Sequence, residues 1–130
     1  LIRKFVDAKN NNQEEVINWG TGRATREFLY VDDCAEGLIS CLQNYDSEDP
    51  VNIGSGEEVS ISNLSRTIQE LVGYDGRVKW DSSMPDGQLK RRLNVDKAYR
   101  GFGFKSKVKL ETGLKKTIDW YEVELTNRNV

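Results

Sequence analysis

Trp19-Gly20-Thr21-Gly22-Arg23-Ala24-Thr25-Arg26-Glu27-Phe28-Leu29-Tyr30-Val31-Asp32-Asp33 is the stretch on which the reading of this chain turns. The β-branched pair Val16-Ile17 leads into it as a strand, Val16–Trp19, and Gly20-Thr21-Gly22 closes that strand as a turn. Arg26–Val31 reads as a second short strand. Asp32 or Asp33 is placed to cap the helix that follows. In that helix Cys34, Leu38, Cys41 and Leu42 recur at i, i+4, i+7 and i+8, which predicts a buried stripe. A tryptophan ending one strand and an arginine entering the next can set an aromatic edge and a cation around one crevice. Arginine's planar fork suits a phosphate, and an indole can line a sugar. The same residues fit equally a core tryptophan beside a solvated arginine.

Outward from this stretch the pattern stays mixed α/β. Arg3–Lys9 reads as the end of a helix, stopped by the polar run Asn10-Asn11-Asn12-Gln13. Downstream, the first helix stops near Tyr45, Val51-Asn52-Ile53 reads as a strand, and Gly54-Ser55-Gly56 as a turn. Ser60 is a good N-cap for a helix with Leu64, Ile68, Leu71 and Val72 on one side and Gly73 at its end. Arg77–Trp80 follows as a strand, Ser82–Gln88 as a loop with Pro85 and Gly87, and Asp96 begins a short helix ended by Gly101 or Gly103. A last helix turns Leu110, Leu114, Ile118, Tyr121 and Leu125 inward. There is no internal repeat.

The 130 residues are enough for one domain with a real core, so residues 1–130 are read as a single unit. A formal net charge of −2 argues against a nucleic-acid partner, which selects a clustered basic surplus. It leaves room for a small anion, which needs only two or three placed cations. No run approaches the roughly 20 apolar residues of a membrane-spanning helix, and Leu1-Ile2-Arg3-Lys4-Phe5 does not resemble a signal peptide. Cys34 and Cys41 on one helix would lie about 10 Å apart, too far for a disulfide. They read as buried reduced thiols, consistent with a cytoplasmic location. With no histidine in the chain, a zinc site is discarded. The chain opens without methionine and partway into a helical pattern, so it is read as a piece of a longer protein.

Two glycine turns invite a nucleotide-binding reading. Gly20-Thr21-Gly22 and Gly54-Ser55-Gly56 each begin as G-x-G, but Thr25 and Val59 stand where the dinucleotide fingerprint has its third glycine. Ordinary turn glycines account for both. Lys90-Arg91-Arg92 is a second cationic group. In extended chain its members alternate in direction, so at most two face one ligand. The run also fits a solvated face.

Four segments in register carry a family resemblance. Trp19-Gly20-Thr21-Gly22, Arg26-Glu27-Phe28-Leu29-Tyr30-Val31-Asp32-Asp33, Val51-Asn52-Ile53-Gly54-Ser55-Gly56 and Pro85-Asp86-Gly87 resemble the C-terminal half of the extended short-chain dehydrogenases/reductases, the NAD-dependent epimerase/dehydratases. The match is to GDP-L-fucose synthase-like members and runs from about Leu1 to Tyr121. The resemblance implies a small mixed α/β substrate-binding domain, together with elements that normally complete the Rossmann domain. It implies NADP or NAD on an N-terminal Rossmann domain absent here, and a nucleoside-diphospho-sugar gripped by this part.

The family's catalytic tyrosine has a lysine four residues on. Here Cys34, Asp49, Val78, Gly103 and Leu125 stand at that distance from Tyr30, Tyr45, Tyr74, Tyr99 and Tyr121, so no catalytic residue and no bound cofactor are expected in this chain. By resemblance Arg26 contacts the substrate diphosphate, Trp19 lies beside the sugar, and Lys4 holds a position where the fucose synthases have arginine. Met84 departs from the pattern, because the residue before Pro-Asp-Gly is normally a lysine or arginine on the diphosphate. Lys90 or Arg91 then substitutes, or the substrate differs. Without the Rossmann domain the apolar face of the Cys34–Leu42 helix would be exposed, which predicts a homo-oligomer. The alternatives are a free-standing module that binds nucleotide-sugars or a protein, and a ligand-free structural domain in which Arg26 is buried against a carboxylate.

Overall fold

The computed structural model describes residues 1–128. Five helices and four strands follow one another as α1 (Ile2–Asn10), β1 (Glu15–Trp19), β2 (Thr25–Glu27), α2 (Val31–Asn44), β3 (Glu58–Ser60), α3 (Ile61–Val72), β4 (Arg77–Asp81), α4 (Asp96–Phe102) and α5 (Leu110–Arg128). The class is mixed α/β, as the residue pattern predicts. β1 and β4 pair in parallel, with Val16 opposite Val78 and Trp19 opposite Asp81. The connection between them contains α3, the crossover that a parallel pair requires. β2 and β3 pair antiparallel, with Arg26 opposite Val59.

The core lies where α1, α3 and α5 cover the β1–β4 pair. Phe5, Val6 and Ala8 of α1, Val16 of β1, Leu64, Ile68 and Val72 of α3, Tyr74 and Ile118 of α5 form one buried cluster. Leu110, Leu114, Tyr121 and Leu125 pack against it, the inward face expected of the last helix. α3 begins and ends as its sequence dictates. Ser60 accepts from the Asn63 N–H at 3.1 Å, and Gly73 closes the helix in the left-handed region at φ 68°.

Three local readings need correction. The second strand stops at Glu27 and α2 begins at Val31, so Arg26–Val31 is not one strand. Neither aspartate caps α2, whose N-cap is Tyr30 without a side-chain bond. Asp33 is instead buried and accepts the N–H groups of Lys107 and Val108, both at 2.9 Å. It spends its acceptors on a chain segment 74 residues away, a partner that local sequence cannot show. Val51-Asn52-Ile53 forms no strand. A strand needs a neighbour to hydrogen-bond, and none lies beside it among the described residues.

The stripe on α2 is not buried either. Leu38, Ile39 and Leu42 are exposed, Leu42 at 87%, and the residues buried on this helix are Asp33 and Gly37. Cys34 and Cys41 are free and half-buried, where the sequence predicts buried thiols. Among the described residues no helix is long and apolar enough to cross a membrane.

Candidate functional site

The turn after β1 is held by donors and acceptors from two sides. Ile61 and Ser62, whose N–H groups would otherwise be orphaned at the start of α3, donate to the carbonyls of Ala24 and Gly22, each at 2.9 Å. From the other side Asp86 accepts both the Thr21 N–H and the Thr21 hydroxyl, each at 2.6 Å. These two bonds, the hydroxyl first, hold the Asp86 carboxyl below the usual aspartate range. Gly20 makes the approach possible. It has φ 78°, and a Cβ there would stand 2.3 Å from Asp86 Oδ1. The Pro85-Asp86-Gly87 loop and the Trp19–Gly22 turn are therefore one latched unit.

β2 supplies the polar floor. Arg26 is half-buried, and its Nη1 donates to the Thr25 carbonyl at 2.6 Å and the Gln88 carbonyl at 2.7 Å. Both bonds use Nη1, so among the described residues Nη2 and Nε keep no protein acceptor. Arg26 lines a cleft of about 220 Å³ together with Glu27, Ile53, Gly54, Arg91 and Arg92. Among the described residues none of the three arginines forms an ion pair with a carboxylate, and the side chains of Arg91 and Arg92 are exposed. Three guanidinium groups and one carboxylate, Glu27, border the opening, an arrangement with the charge and donor geometry to take an anion.

The other candidates stand elsewhere. Lys90 pairs with Glu58 of β3 at 3.1 Å, and Thr25 donates its hydroxyl to the same carboxylate. Both partners hold the Glu58 carboxyl below its usual range, Thr25 the more strongly. Lys90 is thus engaged beside β2, and Arg92, which the sequence reading did not single out, joins Arg91 on the cleft. No sequence signal separates it from its neighbours in the run, because its place on the cleft depends on how the segment after the Thr25–Lys90 bridge folds back. Trp19 is 67% exposed at the end of β1. Lys4 donates to the Ile17 carbonyl at 2.8 Å and lies 5.8 Å from the centre of the Trp19 ring, so these two form a pair.

Neither glycine turn opens a helix. Gly20-Thr21-Gly22 runs into β2, and Gly54-Ser55-Gly56 into β3. Three of their N–H groups are also engaged, Gly20 with Asp81, Thr21 with Asp86 and Gly56 with Glu27. A pyrophosphate cradle at a helix N-terminus needs free donors pointing outward. A larger, mainly apolar groove of about 640 Å³ lies apart, lined by Leu1, Phe28, Tyr30, Leu114 and Trp120 among others, and contains none of the candidate residues.

Comparison with known proteins agrees with this architecture. Residues 1–54 match the NAD dependent epimerase/dehydratase family. The chain is 43% identical over 128 residues to GDP-L-fucose synthase 1 of Arabidopsis thaliana, covering 98% of this chain and 39% of that protein. Among solved structures, a GDP-L-fucose synthetase from Naegleria fowleri bound to NADP superimposes with a TM-score of 0.88 at 29% identity, over 96% of this chain and 39% of the other. UDP-glucose 4-epimerase of Thermotoga maritima, solved with UDP-glucose, gives 0.81 at 28% identity, over 95% and 40%. The chain spans about two fifths of the length of these relatives. From the four motifs, the fold that carries them and these likenesses, the chain is similar along nearly its whole length to members of the NAD-dependent epimerase/dehydratase family, GDP-L-fucose synthases among them.

Proposed function

We propose that this chain is the substrate-binding part of an NAD(P)-dependent nucleotide-sugar epimerase or reductase, and that its cleft takes the diphosphate of a nucleoside-diphospho-sugar. The observation that carries the reading is the convergence of Arg26, Arg91 and Arg92 on one opening without carboxylate partners. A diphosphate carries two charged groups in sequence. Three planar forks, one of them anchored by backbone carbonyls, supply enough charged donors to meet both groups. Anchoring matters because a guanidinium already held in place loses less freedom when the ligand arrives. Arg26 faces the cleft and not a buried carboxylate, which weighs against a ligand-free structural domain.

In this reading Lys4 and Trp19 offer a cation and an exposed ring to the sugar or its phosphate, and Lys90 acts through Glu58 in holding the β2 floor. The chain's role is positioning. Holding the hexose in one orientation makes the hydride exchange effectively intramolecular. The nicotinamide cofactor supplies the hydride chemistry when bound, and NADP is favoured by the relative solved with it. The residues here do not fit that cofactor, since both glycine turns run into strands and neither opens a helix. Its site and the tyrosine–lysine pair are therefore assigned to a part of the protein outside this chain, and this chain alone is inactive. Exposed Leu38, Ile39 and Leu42 then favour self-association of the isolated chain.

Calorimetric titration of the chain with GDP, UDP and dTDP at low salt tests the reading. One nucleoside diphosphate should bind, and Arg26→Ala should weaken it roughly ten- to a hundredfold, the loss of one or two charge-assisted hydrogen bonds. Binding unaffected by Arg26→Ala and by Arg91→Ala would place the ligand elsewhere and favour a free-standing module of other chemistry.

A further inference from the structure

A carboxylate on the wall of an anion cleft looks misplaced, and Glu27 occupies that position beside Arg26, Arg91 and Arg92. Its hydrogen bonds resolve the conflict. One oxygen, Oε1, accepts the Gly56 N–H at 3.0 Å, and the other, Oε2, accepts the Leu93 N–H at 2.9 Å. The two donors come from different segments, one 29 and the other 66 residues away. The first belongs to the Gly54–Gly56 turn and the second directly follows Arg92. Both segments border the cleft, and neither Gly54–Gly56 nor Leu93 lies in a helix or strand. Backbone pairing with β2 stops short of both, at the Thr25–Lys90 bridge before Arg91 and at β3, which begins two residues after Gly56.

Gly54 shows how closely the carboxylate is seated. A Cβ at that position would stand 2.2 Å from Glu27 Oε1 and 3.2 Å from Leu93 Cδ1. Glycine is required there so that the backbone can come up against the carboxylate. With both oxygens facing N–H groups, the charge of Glu27 is directed into the protein backbone and away from the opening.

We infer that Glu27 is a positioning residue of the cleft, a two-sided clamp that joins the Gly54–Gly56 turn and the Arg91–Leu93 segment to β2 and so keeps Arg91 and Arg92 beside Arg26. The inference rests on the diphosphate reading for its consequence, though not for its geometry. Removing the clamp leaves every cation in place but lets the segment bearing two of them drift. Affinity then falls through lost preorganisation and not through lost charge.

The test uses the whole chain, amide hydrogen exchange, and titration with GDP and with inorganic pyrophosphate. Three variants break the clamp differently. Glu27→Ala removes both acceptors. Glu27→Gln keeps one acceptor oxygen and turns an NH2 toward the other donor. Gly54→Ala retains the charge but displaces the carboxylate. Exchange at Gly56 and Leu93 should both rise about tenfold in Glu27→Ala, while only one of the two rises in Glu27→Gln, as expected when charge-assisted bonds are lost singly or together. Core amides of α3 should be unaffected in all three. GDP and pyrophosphate affinities should fall about tenfold in Glu27→Ala and in Gly54→Ala.

Unchanged exchange at both amides in Glu27→Ala would overturn the clamp. Faster exchange with unchanged anion affinity would overturn its role in the cleft. If the unmodified chain binds neither anion, the diphosphate reading fails, and the exchange pattern alone then decides the clamp.

Discussion

Asp86 and Thr21 are joined twice, the carboxylate of one accepting the backbone N–H and the hydroxyl of the other, each at 2.6 Å. That relationship ties the loop ahead of the cationic run to the turn that ends in β2, across 65 residues of sequence. It explains why a glycine-rich turn and a Pro-Asp-Gly loop recur as one unit here, since each supplies what the other lacks.

The latch should be sensitive to acid. Asp86 has a lowered carboxyl value in the folded chain, so its contribution is complete above the ordinary aspartate range, about pH 3.9, and is lost as pH falls through the lower native value. The Thr21 amide resonance should titrate over that interval in the wild-type chain and stay flat in Asp86→Asn, as followed by NMR. A flat profile in both would mean that the carboxylate does not hold the turn.

Asp33 should matter to stability far more than its place near a helix start suggests. It is buried, and it alone accepts the Lys107 and Val108 N–H groups ahead of α5. Asp33→Ala leaves two donors without that acceptor and should cost about 2–3 kcal/mol, the scale of lost bonds to a charged group. Urea denaturation measures it. A loss within experimental error would show that solvent replaces the carboxylate freely.

Met84 stands where relatives by resemblance carry a cation, in the tight turn after β4, half-buried and with its N–H on the Asp81 carbonyl. Because Arg91 and Arg92 already flank Arg26, Met84→Lys should improve GDP affinity by less than about threefold, whereas Arg92→Ala should weaken it about tenfold. Calorimetry on the pair of variants decides. A large gain from Met84→Lys would mean that the arginines do not replace the missing contact.

The uncovered face of α2 should drive association. Leu38 and Leu42 stand 59% and 87% exposed on a helix whose sequence periodicity marks them as a packing face. At tens of micromolar, sedimentation should give a mass above the 14.9 kDa monomer, and the double variant Leu38→Lys, Leu42→Glu should return it to the monomer. A monomer in both would remove the self-association reading.

Much of the fold was legible in the residues themselves. Ser60 and Gly73 bound α3 because a hydroxyl N-cap and a left-handed glycine act within a few residues of where they stand. The inward face of α5 and the strands around Val16 and Val78 follow from periodicity, which is also local. The mixed α/β class followed from that order, and the four motifs in register carried the family. What local pattern could not determine was any feature whose partner lies far along the chain. Asp33 reads as a cap until residues 107 and 108 arrive to claim it. Val51–Ile53 reads as a strand because its residues favour one, but a strand exists only where a neighbour pairs with it. Arg92 is one cation in a run of three until the closed fold places it beside Arg26 and Arg91 on one opening. Glu27 stands in one of the four motifs, but nothing local shows its role, since its two donors are brought to it from distant segments. Sequence alone determined most of the helices, the two caps of α3 and the family resemblance, because those rest on short-range geometry and on motif order. Only the tertiary structure decided which cations share an opening and which carboxylate holds them there, because hydrogen bonds between distant segments form only once the chain has closed on itself.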